Sequence, residues 1–253
     1  MRVATFNILH GRSPEDDVVD LDRYAVAIAG LDADVLALQE VDRHQPRSAG
    51  ADLTALAAEA MGADHHLFVA ALSGHPGVWM AADGDEQPDA AAYGVALLSR
   101  HPVRAWETVR LAPAPVRTPM WFEGSRRPEL VRDEPRVAVV ATIEGPEGPL
   151  TVVNTHLTFL RWWQRRQLHQ LRGAVEAADA PVLMAGDLNM GPSAAQRLTG
   201  LRSLVTAPTF PASEPSEQLD HLLGDPVLCA RVRRGGAARQ PLSDHQALWV
   251  DLA

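Results

Sequence analysis

The sequence predicts an α/β fold with two sheet layers. Three observations carry this. Short strand-like runs alternate with helix-spaced apolar residues along the whole chain. No internal repeat and no clear linker divides the 253 residues, a length that suits a single domain spanning 1–253. The hydrophobic fraction, 46%, belongs to a globular protein with a sizeable core.

The elements follow in order. "RVATFN" (2–7) reads as a strand, and Leu21, Tyr24, Ala25, Ile28 and Leu31 then recur at helical spacing. "DVLALQEV" (34–41) is a second, buried strand. Leu53, Leu56, Ala57, Ala60 and Met61 mark a helix that Gly62 stops. "HHLFVAAL" and "YGVALLS" are further strands. "RVAVVATI" (136–143) and "LTVVNTHL" (150–157) form a hairpin across "EGPEGP". Leu168, Leu171, Val175 and Ala178 give a helix, and "PVLMAGD", "QLDHLL" and "HQALWVDL" are the last strands. Segments 74–92 and 113–135 are rich in Gly, Pro and charge, and loops of that length are often lids or rims of a site.

No apolar run approaches the ~20 residues of a membrane span. The first residues enter a strand without the zones of a signal peptide, so a cytoplasmic location is expected. Cys229 is the only cysteine, which excludes an internal disulfide. The net charge of −9 argues against a long duplex as substrate, because duplex binding rests on basic surface. It also fits carboxylates gathered around a cation.

Several apolar runs end in a polar side chain. "VATFN" delivers Asn7, "VLALQE" Glu40, "LTVVNTH" His156, and "VLMAGDLN" Asp187 and Asn189. "SEQLDH" places Asp220 in a strand, and "PLSDHQALWV" puts Asp244 and His245 just ahead of the last one. Burying such groups without partners is costly. Singly, each has an ordinary reading: turn residues for the asparagines, a solvated strand end for Glu40, a satisfied core histidine for His156. Asp187 would cap a turn, Asp220 would pair with Arg231 or Arg233, and Asp244-His245 would be plain loop. Together, carboxylates and carboxamides in this number suit a hard, oxygen-preferring cation. There is no HExxH, cysteine pair, P-loop or GxSxG.

"TFNILHG", "DVLALQEVD", "YGVALLSRHPV", "VVNTHL", "AGDLNM", "LDHLL" and "SDHQAL" together resemble the endonuclease/exonuclease/phosphatase superfamily, in its order, over about residues 2–252. The resemblance implies a four-layer α/β sandwich, with two mixed sheets face to face and helices outside. It also implies hydrolysis of a phosphoester by an activated water, with Mg²⁺ or Mn²⁺ as cofactor. Carried over residue by residue, it makes Glu40 the principal metal ligand, with Asn7 and Asp244 contributing. Asp187 orients or deprotonates the water and Asn189 helps hold the phosphate or a metal. His245 contacts the phosphate, held by Asp220, and His156 stabilises charge or assists the leaving group. In some nuclease members a glutamate in the strand equivalent to "YGVALLS" supports the histidine that His156 matches. Here the nearest residue is Tyr93, which leaves that support open.

Three further residues are candidates for substrate binding. Arg136 either meets phosphate or pairs with Glu134, and His10 is a neighbour of the site. Trp162, with Trp163, Arg161, Arg165 and Arg166, is either a stacking platform for a nucleobase or the start of an amphipathic helix. Trp121, Phe122, Arg126 and Arg127 stand in the second long loop, and His65-His66 face opposite sides of a strand. The partner is thus a phosphoester, small molecule or nucleic acid. A phosphodiesterase or phosphatase for a small or lipid-derived substrate is favoured by the acidic charge. A nuclease is favoured by the aromatic-basic segments, and a non-catalytic interaction module is opposed by the complete polar set.

Overall fold

The computed structural model describes residues 1–87, 89–121 and 127–253, so Phe122 and Arg126 lie outside the described residues. A seven-stranded sheet runs in the order Val232–Ala238, Ala247–Leu252, Arg2–Asn7, Val35–Arg43, Ala92–Ser99, His65–Ser73, Met80–Ala81. A six-stranded sheet runs Arg202–Ser203, Asp220–Gly224, Val182–Asp187, Gly148–His156, Arg136–Gly145, Val103–Leu111.

Each sheet has one parallel pair among otherwise antiparallel neighbours. Arg2–Asn7 pairs with Val35–Arg43, and Gly148–His156 pairs with Val182–Asp187. A parallel pair needs a crossover, and here the crossovers are the helices Leu21–Gly30 and Arg161–Glu176. The consequence is functional. Two strands in each sheet end at the same edge, and those ends carry Asn7, Gln39-Glu40, His156 and Asp187.

Period-two alternation sorts the side chains into layers. Val3, Val35, Ala37, Val95 and Leu97 of one sheet meet Val137, Val139, Val152, Leu183, Ala185 and Leu222 of the other, forming the core between the sheets. The opposite parity, Ala4, Phe6, Leu36, Leu38 and Leu98, packs under Tyr24, Ile28, Leu53 and Ala57 of the helices Leu21–Gly30 and Leu53–Met61. On the far side Val153, Met184 and Leu223 pack under Leu168, Leu171 and Ala195. The order helix, sheet, sheet, helix is the expected four-layer sandwich.

Local chemistry sets the helix ends. Asp20 and Asp52 accept the first free N–H groups of their helices, and Gly62 ends the second at φ 66. The expected hairpin closes through the pair Gly145↔Gly148. The two long loops are less bare than the sequence suggests. Met80–Ala81 pairs with the edge of the large sheet, and Thr118–Met120 pairs with Glu129–Val131. Their short runs lack the apolar alternation that marks a strand. Among the described residues, no helix is long and apolar enough to cross a membrane.

Candidate active site

Four of the polar side chains reach the cleft by simple alternation. Asn7 follows Thr5 and Val3, His156 follows Asn154 and Val152, Asp187 follows Ala185 and Leu183, and Asp220 precedes Leu222. Each stands on the inward face at its strand end, and the register places His156 and Asp220 on either side of Asp187.

Glu40 does not follow this rule. Alternation would send it outward with Leu36 and Leu38. Instead the register with Ala92–Ser99 slips between Leu38 and Val41, and Glu40 adopts φ 56. This β-bulge turns the carboxylate to Asn7, whose Nδ2 donates to Oε1 at 3.1 Å. Carbonyls beside the slip still need donors. Asn154 supplies them from the opposite sheet: its Nδ2 donates to Leu38 O at 2.9 Å and Ala96 O at 2.7 Å. Its Oδ1 accepts from Gln39 Nε2 at 2.7 Å, and Gln39 also donates to Thr5 Oγ1 at 3.0 Å. A buried polar layer thus ties the bulge across the core just below the cleft.

Asp187 divides its two oxygens. Oδ1 accepts the backbone N–H of Asn189 at 2.9 Å, which is the turn-capping role. Oδ2 accepts from Asn7 Nδ2 at 3.1 Å and lies 3.5 Å from His156 Nε2 and 3.9 Å from His245 Nε2. Asn189, at φ 52, is a turn residue and more. Its Nδ2 lies 3.2 Å from His156 Nε2 and donates to Leu157 O at 2.9 Å. Asp220 pairs with neither Arg231 nor Arg233. Its Oδ2 meets His245 Nδ1 at 2.8 Å and accepts from Thr209 Oγ1 at 2.6 Å. Ser243 Oγ donates to Asn7 O at 2.6 Å and accepts His245 N at 3.0 Å, stitching the last loop to the first strand.

The surroundings push the two histidines apart. Burial, reinforced by the Arg136 cation and by His245, holds His156 well below the usual imidazole range. Burial also opposes charge on His245, but the Asp220 carboxylate and its hydrogen bond, with Asp187 and Asp244, raise it to about 10. Near neutral pH the cleft therefore pairs a neutral imidazole with an imidazolium. Asp187 is raised by burial first and by Asp220 second, against the pull of His245 and its N–H donors.

Among the described residues, two groupings could hold a metal. Asp187, Asp220 and His245 offer atoms within 4.8 Å of one another. Asp220 Oδ2 and His245 Nδ1 are already spent on each other there and Asp220 has no exposure, while its Oδ1 keeps no hydrogen-bond partner among the described residues. Around Glu40 the chemistry fits a hard divalent cation better. Burial and the Asp244 carboxylate both raise Glu40, against Asn7 and Arg136, so two carboxylates repel across a gap that positive charge would relieve. Asn7 turns Nδ2 to Glu40 and Asp187 while its Oδ1 accepts Leu9 N at 3.2 Å. Turning the amide over would offer that oxygen to a cation at Glu40.

The three rim candidates separate. Arg136 is buried, with Nη2 3.4 Å from Glu134 Oε2, and its Nε has no hydrogen-bond partner among the described residues. The Glu134 pairing exists, yet the guanidinium keeps a free edge and acts on both Glu40 and His156. His10 is half-buried at φ 47. Trp162 is 54% exposed on the helix Arg161–Glu176, edge-on to Trp163 at 5.3 Å. The groove beside Asn189 is lined by Phe159, Arg161 and Arg197 rather than by Trp162. Trp163 donates Nε1–H to Ala112 O at 2.8 Å, as an amphipathic helix start would have it. Tyr93 faces the Glu40 side, within electrostatic reach of Glu40, Arg136 and Arg47. Asn154 and Ser243 stand inside the "VVNTHL" and "SDHQAL" segments, which assign them no role of their own, and Thr209 carries no signal in the sequence, because the partners of Asn154 and Thr209 are distant in the chain.

His10 yields a pH prediction. Burial, with the Arg47 and Arg12 cations, lowers its pKa to about 4. An unfolded histidine titrates near ~6.5. Stability from the neutral form is full above that value and is lost as pH falls from it towards about 4. His10→Asn keeps a residue tolerant of positive φ and should lose less stability between pH ~7 and ~5 than the parent. Urea midpoints at the two pH values check this; equal losses contradict it.

The sequence model of the Endonuclease/Exonuclease/phosphatase family matches residues 4–245. No curated protein matches the chain. Among solved structures, an endonuclease/exonuclease/phosphatase from Beutenbergia cavernae is 24% identical with TM-score 0.67, covering 100% of this chain and 71% of that one. The mannosyl-6-phosphatase Bt3783 of Bacteroides thetaiotaomicron is 16% identical with TM-score 0.68, covering 100% and 99%. A 3′ phosphatase from Neisseria bound to a product DNA hairpin is 14% identical with TM-score 0.58, covering 100% and 99%. With the match spanning nearly the whole chain, the protein belongs to the endonuclease/exonuclease/phosphatase family and is a metal-dependent phosphoric ester hydrolase.

Proposed function

We propose that the chain hydrolyses a small or lipid-derived phosphoester by attack of a water that Asp187 orients and deprotonates. The observation that carries this reading is the setting of Asp187 Oδ2. It lies 3.5 Å from His156 Nε2 and 3.9 Å from His245 Nε2, and accepts from the Asn7 amide at 3.1 Å. A carboxylate in that setting is ready to take a proton beside a phosphoryl group. Asn189 N–H holds its other oxygen, so the accepting lone pair is aimed.

His245, kept protonated by Asp220, sets positive charge against the phosphoryl oxygens as charge builds there. Asp220 and Thr209 fix that ring. His156, oriented by Asn189, serves the phosphoryl oxygens or the leaving oxygen, and Arg136 adds donors from the floor. Glu40 and Asp244, with Asn7 beside them, would hold Mg²⁺ or Mn²⁺. The bound cation supplies further positive charge to the phosphoryl group.

The net charge of −9 supports a small substrate, as does the better overlay on the mannosyl-6-phosphatase than on the DNA-bound phosphatase, 0.68 against 0.58. A nuclease is the second reading, favoured by Phe159, Arg161 and Arg197 along the groove beside Asn189. Hydrolysis of bis-p-nitrophenyl phosphate, p-nitrophenyl phosphate and supercoiled plasmid, with Mg²⁺, Mn²⁺ or EDTA, separates the two. Metal-dependent cleavage of a small ester with plasmid untouched is expected; nicking at low enzyme would favour the nuclease. Glu40→Gln should weaken Mg²⁺ binding by ~10-fold or more, measured by calorimetry. Unchanged affinity would remove Glu40 from the metal site.

A further inference from the structure

The cleft wall on the seven-stranded sheet carries side chains that this chemistry does not use. Tyr93 lies opposite Asp42 in the register and shares the inward parity of Val95 and Leu97. Asp42 is fully buried and accepts Arg47 Nε at 2.8 Å and Nη2 at 2.7 Å, with Ser48 Oγ at 3.1 Å. The guanidinium carbon of Arg47 lies 5.5 Å from the ring centroid of Tyr93 and 5.9 Å from that of Trp79. Those two rings are 6.1 Å apart. Arg47 is thus clamped by a bidentate carboxylate and flanked by aromatic walls, which removes most of the entropy it would lose on binding a ligand.

What remains free is mostly donor, set against the Glu40 carboxylate, which lies within electrostatic reach of both Arg47 and Tyr93. Arg47 keeps its side chain 33% exposed, and its Nη1 makes no hydrogen bond among the described residues. The Tyr93 hydroxyl is likewise unpaired among the described residues. Arg136, only 7% exposed, has the unpartnered Nε noted above. An oxyanion with several terminal oxygens is the ligand that uses such a set. Asp42 already offsets part of the charge of Arg47, so much of the gain would come from short hydrogen bonds and read out as selectivity between substrates.

We propose that Arg47 and Tyr93, with Arg136 at the boundary, form an anion subsite beside the phosphoryl site that takes a second phosphate of the substrate. This rests on the phosphoryl site lying at Asp187 and His245, and it narrows the substrate class to bisphosphorylated small molecules.

Titration of the Mg²⁺-loaded protein with inorganic phosphate, followed by calorimetry, tests it. Two phosphates per chain are expected for the parent, one for Arg47→Lys, and a second site weakened several-fold in Tyr93→Phe. Tyr93→Phe removes only a hydroxyl, and melting curves confirm that both variants fold. One phosphate or none in the parent, or two of unchanged affinity in both variants, overturns the subsite. Asp187→Asn should still bind two. Normal turnover in that variant would discard the water-activation reading while leaving the count to decide the subsite. With Mg²⁺ present, the ratio of kcat/KM for a hexose bisphosphate over a hexose monophosphate should exceed one and fall towards one in Tyr93→Phe. A ratio unmoved by that substitution counts against the proposal.

Discussion

Asp187→Asn should fold at least as well as the parent and lose ~100-fold to ~10,000-fold in turnover, the usual contribution of a positioned base. The two halves of this expectation have one cause. Asp187 is almost inaccessible, and its burial beside Asp220 makes a carboxylate costly there. An amide of the same shape removes that cost and keeps the oxygen that accepts Asn189 N–H, and its NH2 then meets the Asn7 Nδ2 from which Oδ2 accepts in the parent. It cannot accept a proton from water. The melting temperature should therefore hold or rise while the rate collapses, which is the signature of a group retained for chemistry at the expense of stability. Rates at saturating substrate together with a thermal melt check both halves. Near-parental turnover would end the role assigned to Asp187.

Gly186→Ala should do the reverse, attacking the fold. Gly186 has φ 138, a backbone state that side chains resist, and a Cβ there would stand 1.9 Å from Thr155 O. Thr155 cannot retreat easily. It is the registered partner of Gly186 in the parallel pair, and its Oγ1 is held on Val137 O at 3.0 Å. The backbone strain alone costs ~1–3 kcal/mol. With the clash the loss should exceed ~4 kcal/mol, a large share of a typical ~5–15 kcal/mol stability. For a chain of this size that lowers the melting temperature by ~10 °C or more. A melt within ~2 °C of the parent would show that the two strands can part without cost. Gly186 thus lets the strand bearing Asp187 lie close against the strand bearing His156.

Much of this arrangement was legible as pattern. Apolar runs with period two, cut off by Asn7, His156, Asp187 and Asp220, mark both the inward face and the end that is not core. Alternation is a local property, readable from a few neighbours. The hairpin and the Gly62 stop of the second helix were readable for the same reason. The ordinary readings of Asp187 and Asn189 as turn residues are also true, since one oxygen of Asp187 caps the turn while the other faces the histidines.

The rest depends on contacts between residues far apart in the chain. Glu40 reaches the cleft through a bulge that breaks alternation, and Asn154 of the other sheet satisfies the carbonyls beside it. The Asp220–His245 pair needs Thr209, 11 residues from Asp220, to share the carboxylate. The opposite charge states of His156 and His245 come from burial and neighbouring charges, which composition does not reveal. The Arg47 clamp exists only because Asp42 and Tyr93 face each other across two strands and Trp79 arrives from a long loop. Which side chains stand at strand ends can be read along the chain, because periodicity is written residue by residue. Tertiary structure decided which of them meet and in what charge state, because hydrogen bonds across sheets and the cost of burying charge are properties of the assembled core.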